Sequence, residues 1–273
     1  MHRIVEGIVL RETETKETDK ILTALTRSEG KIAVIARGAR RKNSRIAAAS
    51  QLLVYSEMTL FQKGNWSILD EANTLELFSG VRQDVELLAL GAYFAEMTEL
   101  LAEEDVPAPD TLPLLLNALY ALGTLHKEPA QVKAAFELRL LALSGFEPLL
   151  DGCAVCGAAE PALPVLDVGQ GLLHCRECSL SGRGGHDMAL CPPSLAAMRH
   201  VLRCGAKRLY AFSLEKDALA RMGAAAEAFA CTQLERGFRT LDFYKRVCSC
   251  DALQGYQQST DTERKEQYGM DGQ

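Results

Sequence analysis

The chain has 273 residues, a formal net charge of −6, 48% hydrophobic residues and nine cysteines. This length predicts two or three domains, and the composition is that of a globular protein rather than a membrane or fibrous one. Because the first ten residues do not resemble a secretory leader and no apolar run reaches membrane-spanning length, we expect a cytoplasmic protein with reduced cysteines.

The first eighty residues contain short apolar segments that are separated by turn signals. Five of these segments have the alternation and the β-branched content of strands, and they span residues 2–10, 19–26, 31–36, 52–62 and 66–75. Five short strands with turns between them predict a small closed barrel or a sandwich. The pattern alone does not choose between an OB-type barrel and other small β folds.

A basic segment lies inside this β region. Seven basic residues and a single acid, Glu57, fall between Gly30 and Trp66, so the segment is positive in a chain that is negative overall. Most of these cations lie in a predicted loop, where they can neutralise phosphates without reading base sequence. A solvated loop with no special role is the alternative. The candidate DNA-binding residues are Lys31, Arg37, Arg40, Arg41, Lys42, Arg45 and Lys63.

Three aromatic residues of the β region are candidates for stacking on nucleic-acid bases. They are Tyr55, Phe61 and Trp66. Small β-barrels that hold single strands commonly combine a positive groove with such rings. Tyr55 and Trp66 fit equally well into a hydrophobic core.

From Val81 the apolar residues follow a helical period. One helix is expected to end before Pro107 and Pro109, and Asp110 is placed to cap the next helix. A third helix is predicted to begin at Pro129 and to stop before residue 145. The acidic run at residues 103–105 is expected to be a solvated helix end rather than a catalytic pair.

Two pairs of cysteines follow these helices. Cys153 and Cys156 form one Cys-x-x-Cys pair, and Cys175 and Cys178 form another after eighteen intervening residues. Two such pairs can supply the four sulfurs of a tetrahedral Zn²⁺ site, whereas a redox pair needs only one. A shell of four thiolates leaves no position for a reacting water, so we expect one structural zinc ion.

The remainder of the chain is predicted to be helical and then polar. A helix that carries Leu195, Met198, Val201 and Leu202 is expected to open at Pro192, and a further helical block is expected from Leu214 to about Val247. From Cys248 onward the sequence is polar and rich in glutamine, which predicts a disordered tail. Cys248 and Cys250 suggest a further metal pair but lack partners in the sequence.

Several of these segments together resemble the bacterial RecO family of DNA-repair proteins. The resemblance lies in Glu17-Thr18-Asp19-Lys20-Ile21-Leu22-Thr23, in the run from Gly30 to Arg40, in Phe136-Glu137-Leu138-Arg139-Leu140-Leu141, and in Gly145-Phe146-Glu147-Pro148 just before the cysteine pairs. It covers roughly residues 1–247. Four features occur in the family's order, namely the β opening, the basic Gly-Ala-Arg loop, the Leu-Leu…Gly…Pro helix end and the four cysteines.

The resemblance implies an α+β fold. Its parts would be an N-terminal five-stranded OB-type β-barrel (1–80), a helical domain in two parts (81–150 and 191–247), an inserted four-cysteine zinc module (151–190) and the tail (248–273). It also implies a recombination mediator of the RecF pathway that is not an enzyme. Such a protein binds single- and double-stranded DNA, anneals complementary strands and helps to load RecA.

The implied partners are RecR, the C-terminal tail of the single-stranded DNA-binding protein SSB, RecF and RecA. The implied location is the cytoplasm, in association with the nucleoid. Carried onto this sequence, the family's DNA contacts fall on the basic loop and its zinc ligands on the four cysteines.

Two other functions are alternatives to this one. A zinc-dependent deaminase needs a His-x-Glu and a Pro-Cys-x-x-Cys around an open metal position. His126-Lys127-Glu128 is present, but it lies in a predicted loop and proline precedes neither cysteine pair. The second alternative is a zinc-stapled protein-interaction adaptor without intrinsic DNA annealing.

Overall fold

The structure is a computed structural model that describes residues 2–179 and 186–249. It consists of a closed five-stranded barrel, a group of helices that follows it, and a segment with four clustered cysteines between two parts of that group. This arrangement confirms the predicted α+β fold class and the OB-type barrel. Residues 250–273, which make up most of the predicted tail and include Cys250, lie outside the described residues.

The barrel is formed by β1 (His2–Thr15), β2 (Asp19–Thr26), β3 (Gly30–Ala36), β4 (Tyr55–Lys63) and β5 (Trp66–Glu76). Around the barrel the strands follow the order β1-β2-β3-β5-β4, and β3 pairs with β5 in parallel while the other pairs are antiparallel. The strand predicted from residue 52 begins only at Tyr55, because Leu53 takes a left-handed φ of 61° and leaves the extended conformation.

Alternation along each strand separates two apolar sets. One set fills the barrel and includes Val5, Val9, Leu22, Val34, Met58 and Leu60. Another set, which includes Ile8, Leu10, Leu25 and Leu53, belongs to the same buried cluster as the helices. Since neighbouring strand residues point to opposite sides, β1 fills the barrel with Val9 and contacts the helical core with Ile8 and Leu10. The helices therefore pack on the outside of the barrel, and the barrel interior forms a separate buried cluster.

The first helical part contains α1 (Ser79–Arg82), α2 (Val85–Leu101), α3 (Thr111–Gly123) and α4 (Pro129–Leu143). Asp84 caps α2, since its side chain accepts a hydrogen bond from the Leu87 backbone N–H at 3.0 Å. Asp110 lies at the N-cap of α3 as predicted, but its side chain makes no capping hydrogen bond. Pro129 opens α4, as predicted.

The cysteine segment carries a small antiparallel sheet of β6 (Pro164–Asp167), β7 (Leu172–Cys175) and β8 (Asp187–Ala189), with the one-turn α5 (Arg176–Ser179) after β7. It is followed by α6 (Pro192–Arg203), a short 3₁₀ turn (Ala206–Arg208), α7 (Lys216–Gln233) and α8 (residues 239–249). Leu166, Val168 and Leu173 join the helical core, so the sheet packs on the helices.

The prediction of one helical block over residues 214–247 is wrong at its centre. Glu235 takes a φ of 51°, and the Arg236 backbone N–H donates to the Cys231 carbonyl at 3.1 Å. This turn ends α7 at Gln233, and α8 starts at residue 239 and continues through the last residue described, 249. Within the described ranges, the structure contains no helix with the length and hydropathy needed to cross a bilayer.

A buried ionic network joins the helices, and the sequence patterns did not reveal it. Lys133 Nζ lies 2.8 Å from Glu137 Oε1 and 2.8 Å from Glu227 Oε2. The Tyr93 hydroxyl donates to Glu137 Oε1 at 2.7 Å, and Lys245 pairs with Glu227. Burial raises the pKa of Glu137, and the Lys133 ammonium opposes that effect. These contacts connect α2, α4, α7 and α8.

Loss of the Lys133 charge should destabilise the chain strongly. The substitution Lys133→Met leaves Glu137 buried with its main countercharge removed, so we expect the free energy of unfolding to fall by about 3–5 kcal/mol. Urea denaturation measures this value. The matched control is Arg221→Met, which breaks an exposed i,i+4 pair with Asp217 and should cost far less. Equal effects of the two substitutions would contradict the role given to the network.

Candidate nucleic-acid interface and metal centre

The basic loop, defined here as residues 37–45, leaves the end of β3 and is fixed at its start. The Gly38 backbone N–H donates to Asp19 Oδ1 at 2.8 Å, and the Arg40 backbone N–H donates to the Thr18 carbonyl at 3.0 Å. The Gly38 hydrogen bond lowers the pKa of Asp19, because it stabilises the carboxylate. Gly38 has a φ of 66°, a conformation that favours glycine. The loop is therefore anchored on the turn between β1 and β2.

The predicted DNA-binding residues differ in their exposure and in their contacts within the protein. Arg37, Arg41, Lys42 and Arg45 are exposed side chains of the basic loop. Arg40 is also exposed, but its guanidinium lies 3.2 Å from Glu14 Oε2 and 3.3 Å from the Glu17 carbonyl. Part of its charge is thus already compensated within the protein.

Lys31 lies apart from the basic loop. It stands at the start of β3, whereas the loop leaves the end of that strand, and its Nζ donates to the Glu99 carbonyl at 2.9 Å. Lys31 instead lines a groove between the barrel and the helices, with a volume of about 770 Å³, together with Arg11, Glu99 and Arg239. Sequence reasoning missed this groove, because its lining comes from distant segments of the chain.

Arg37, Arg45 and Lys63 converge on a single cleft on the outside of the barrel, with a volume of about 480 Å³. We call it the barrel cleft, and Phe61, Ile68 and Asp70 also line it. Phe61 and Lys63 lie two residues apart on β4 and so point to the same side of the strand. Three cations around an aromatic ring form a surface that can accept both phosphates and bases.

The three candidate aromatic residues differ in their surroundings. Trp66 is 53% exposed and Phe61 is 36% exposed, so the possibility that Trp66 is a core residue is not realised. Tyr55 packs partly against the helical core, and its hydroxyl donates to Glu6 Oε2 at 2.6 Å. Burial and the Glu6 carboxylate raise the pKa of Tyr55 to about 12. Phe61 and Trp66 therefore remain the accessible rings near the cations.

The four cysteines predicted as ligands meet in space. The Sγ atoms of Cys153, Cys156, Cys175 and Cys178 all lie within 4.8 Å of one another. The Cys156–Cys175 sulfur distance is 3.5 Å and the Cys175–Cys178 distance is 3.1 Å. Sulfurs in a tetrahedral zinc site, with Zn–S bonds of about 2.3 Å, lie about 3.8 Å apart. The cluster can therefore hold one metal ion after small side-chain shifts.

Backbone groups around Cys153 favour its thiolate. Burial opposes ionisation, but N–H groups of Cys156, Cys175 and Val155 outweigh it and lower the pKa of Cys153 to about 5. The hydrogen bond with the Cys175 sulfur raises the pKa of Cys178, because it stabilises the protonated thiol. A set of four sulfurs suits a soft or borderline ion such as Zn²⁺, which binds them as thiolates.

Comparison with known proteins gives consistent matches along the chain. The family model described as Recombination protein O N terminal matches residues 1–78, and Recombination protein O C terminal matches residues 82–242. A DNA repair protein RecO of Acetivibrio thermocellus is 30% identical over 242 residues, which cover 88% of this chain and 95% of the relative.

Two further relatives carry the same name. The DNA repair protein RecO of Symbiobacterium thermophilum is 31% identical over 246 residues, or 88% of this chain and 95% of the relative. That of Listeria monocytogenes serotype 4b (strain CLIP80459) is 33% identical over 173 residues, or 63% of this chain and 67% of the relative.

Removal of one cluster sulfur should release the metal before it affects the barrel. We expect Cys153→Ser to lower the bound zinc from about one ion per chain to near zero and to reduce the melting temperature. Metal analysis and thermal denaturation measure the two effects. Cys204→Ser is the matched control, since Cys204 lies outside the cluster and should leave zinc content unchanged. Full zinc occupancy in Cys153→Ser would contradict the assignment.

Proposed function

The chain belongs to the RecO family and acts in DNA repair and recombination, and we propose that its part in that process is to bind DNA and anneal complementary strands. It would bind single- and double-stranded DNA and help to load RecA onto strands covered by SSB. No step of this activity needs a catalytic acid, base or nucleophile. We therefore propose a mediator without enzymatic turnover.

The convergence of Arg37, Arg45 and Lys63 on the barrel cleft is the observation that carries this proposal. Arg37 and Arg45 come from the basic loop and Lys63 from the end of β4, so the fold brings together cations from two separate segments of the chain. Exposed cations of this kind bind phosphates and release condensed counterions, which makes binding strongly dependent on salt. Such contacts specify the backbone and not the base sequence.

Neutralisation of phosphates also provides a physical route to annealing. Two complementary strands repel each other, and a surface that lowers the charge of one strand makes their encounter more frequent. Arg41 and Lys42 are exposed on the same loop and can contact a second backbone. Arg40, which is paired with Glu14, would contribute less than its neighbours.

The four-cysteine cluster has a stabilising role in this proposal. Its sheet packs on the helical core through Leu166 and Leu173, at a distance in sequence from the basic loop. A zinc ion bound by four thiolates would have no open position and would hold the segment together. The proposed ligands are Cys153, Cys156, Cys175 and Cys178.

We propose RecR, the SSB C-terminal tail, RecF and RecA as protein partners, in the cytoplasm at the nucleoid. An adaptor that binds these partners without DNA is the competing function. The two functions separate in a pull-down with SSB and RecR in the presence and absence of DNA. Retention of partners by a chain that binds no DNA would favour the adaptor.

Substitution of two cleft arginines should weaken DNA binding and reduce its dependence on salt. For Arg37→Ala/Arg45→Ala we expect lower affinity for DNA, and a slope of log affinity against log salt that is smaller by about 2. Fluorescence anisotropy at several salt concentrations measures both quantities.

The charge-matched control is Arg208→Ala/Arg221→Ala, in which two exposed arginines of the helical part are removed. It should retain the affinity and the salt slope of the unsubstituted chain. An unchanged affinity and slope for the cleft variant would show that the barrel cleft is not the binding surface.

A further inference from the structure

An apolar groove lies where the ends of α2 and α4 meet the loop of residues 102–110, which we call the acidic loop. The groove has a volume of about 530 Å³. Three of its lining side chains, Leu100, Val106 and Leu143, are 39%, 46% and 41% exposed. Exposed apolar side chains that line one groove indicate an interaction site, whereas single ones scattered over a surface do not.

The rim of this groove is negative. Glu103 and Asp110 line the groove, and Glu104 and Asp105 lie between them in the acidic loop. All four side chains are exposed, and among the described residues none of them has an ion-pair partner. Asp110 stands at the N-cap of α3, whose positive end offsets part of its charge. The other three carboxylates are uncompensated.

Two helix ends add to this negative charge. The last residues of α2 and α4, Leu101 and Leu143, both line the groove. The C-terminal end of a helix carries a partial negative charge, which a basic side chain in the last turn can offset. Neither helix has a basic residue in its last turn. The groove therefore attracts cations at its rim and apolar groups at its centre.

The acidic loop is held in place by the barrel. The Lys31 backbone N–H donates to the Glu103 carbonyl at 3.1 Å. Gly30 lies against the loop so closely that a Cβ atom there would be 2.0 Å from the Val106 carbonyl oxygen. Only glycine permits this approach. The groove is thus formed before a partner arrives, which lowers the cost of ordering it on binding.

We propose that this groove docks a basic amphipathic helix of a partner protein. The apolar face of that helix would contact Leu100, Val106 and Leu143, and its Lys and Arg side chains would face the acidic loop. DNA does not fit, because the carboxylates repel phosphates. The groove shares no lining residue with the barrel cleft, so the inference does not depend on DNA binding there.

Other occupants fit this groove less well. An added strand needs free backbone groups, but the Ala108 N–H already donates to a carbonyl of the β2–β3 turn at 3.1 Å. Pro107 and Pro109 have no N–H to offer. The basic loop of a second copy has the required charge, but its apolar members Ala39 and Ile46 are buried in the barrel core. That loop therefore has no apolar side chains to place in the groove.

A labelled synthetic helix tests the charge of the rim. The probe has about 15 residues, with leucines at helical i, i+3, i+4 and i+7 spacing and lysines elsewhere. We expect Glu103→Gln/Glu104→Gln/Asp105→Asn to lower its affinity about tenfold and to reduce the salt dependence, because three exposed charges are lost. Fluorescence anisotropy measures both quantities. The charge-matched control removes three acids from the outer face of the barrel, Glu57→Gln/Asp70→Asn/Glu71→Gln, and should keep both.

A second pair of variants tests the apolar centre with the same probe. We expect Val106→Ser/Leu143→Ser to lower the affinity about tenfold at every salt concentration, because the buried apolar area is reduced while the charge is kept. The matched control is Val85→Ser/Leu125→Ser, in which two exposed apolar side chains outside the groove are replaced. It should bind the probe as the unsubstituted chain does. Circular dichroism checks that each variant is folded.

The outcomes either support the docking site or overturn it. A probe with glutamates in place of the lysines should not bind. Absence of binding by the lysine probe, or an equal loss of affinity in a groove variant and its control, would overturn the proposal. Sedimentation of the chain alone tests the competing occupant. Self-association that the Glu103→Gln/Glu104→Gln/Asp105→Asn variant abolishes would assign the groove to a second copy and would also overturn it.

Discussion

The parallel pairing of β3 with β5 closes the barrel and creates the barrel cleft. Val34 pairs with Ser67 and Ile35 with Ile68, and β5 then pairs with β4 along almost its full length. Because of this pairing, the residues that follow β3 emerge beside the β4–β5 hairpin. Arg37 and Arg45 thus reach Phe61 and Lys63, although the intervening chain is long. Without closure of the barrel the cations would remain scattered.

The rest of the molecule supports this closed barrel through its core. Ile8, Leu10, Leu25 and Leu53 connect the outside of the barrel to the helices, and the helices are joined by the ionic network around Lys133 and Glu137. The cysteine sheet packs on the same core. The residues that stabilise the fold are therefore different from those that we propose to bind DNA. The strongest chemical signal in the sequence, the four cysteines, belongs to the part for which we propose a stabilising role.

Much of the fold could be predicted because its signals are local. Alternation of apolar and polar residues identified five strands. The two Cys-x-x-Cys pairs identified the cysteine cluster, because the two cysteines of each pair are close in sequence. The remainder depends on long-range geometry or on single backbone angles. Because of the positive φ of Leu53, β4 starts later than predicted. The positive φ of Glu235 divides the predicted helical block into α7 and α8. Lys31 lies near the start of the seven-residue β3, and Arg37 directly follows its end. The strand therefore separates the two residues at opposite ends of the barrel wall. Neither residue's surroundings follow from its neighbours in sequence.

Strand annealing of complementary oligonucleotides that are coated with SSB tests the central claim most directly. The chain should accelerate duplex formation at low salt, and the acceleration should fall steeply as salt rises, because phosphate neutralisation drives it. A fluorescence-quenching pair on the two strands follows the rate. A folded, zinc-loaded chain that binds single-stranded DNA yet leaves the annealing rate unchanged would contradict the mediator function and favour a protein-interaction adaptor.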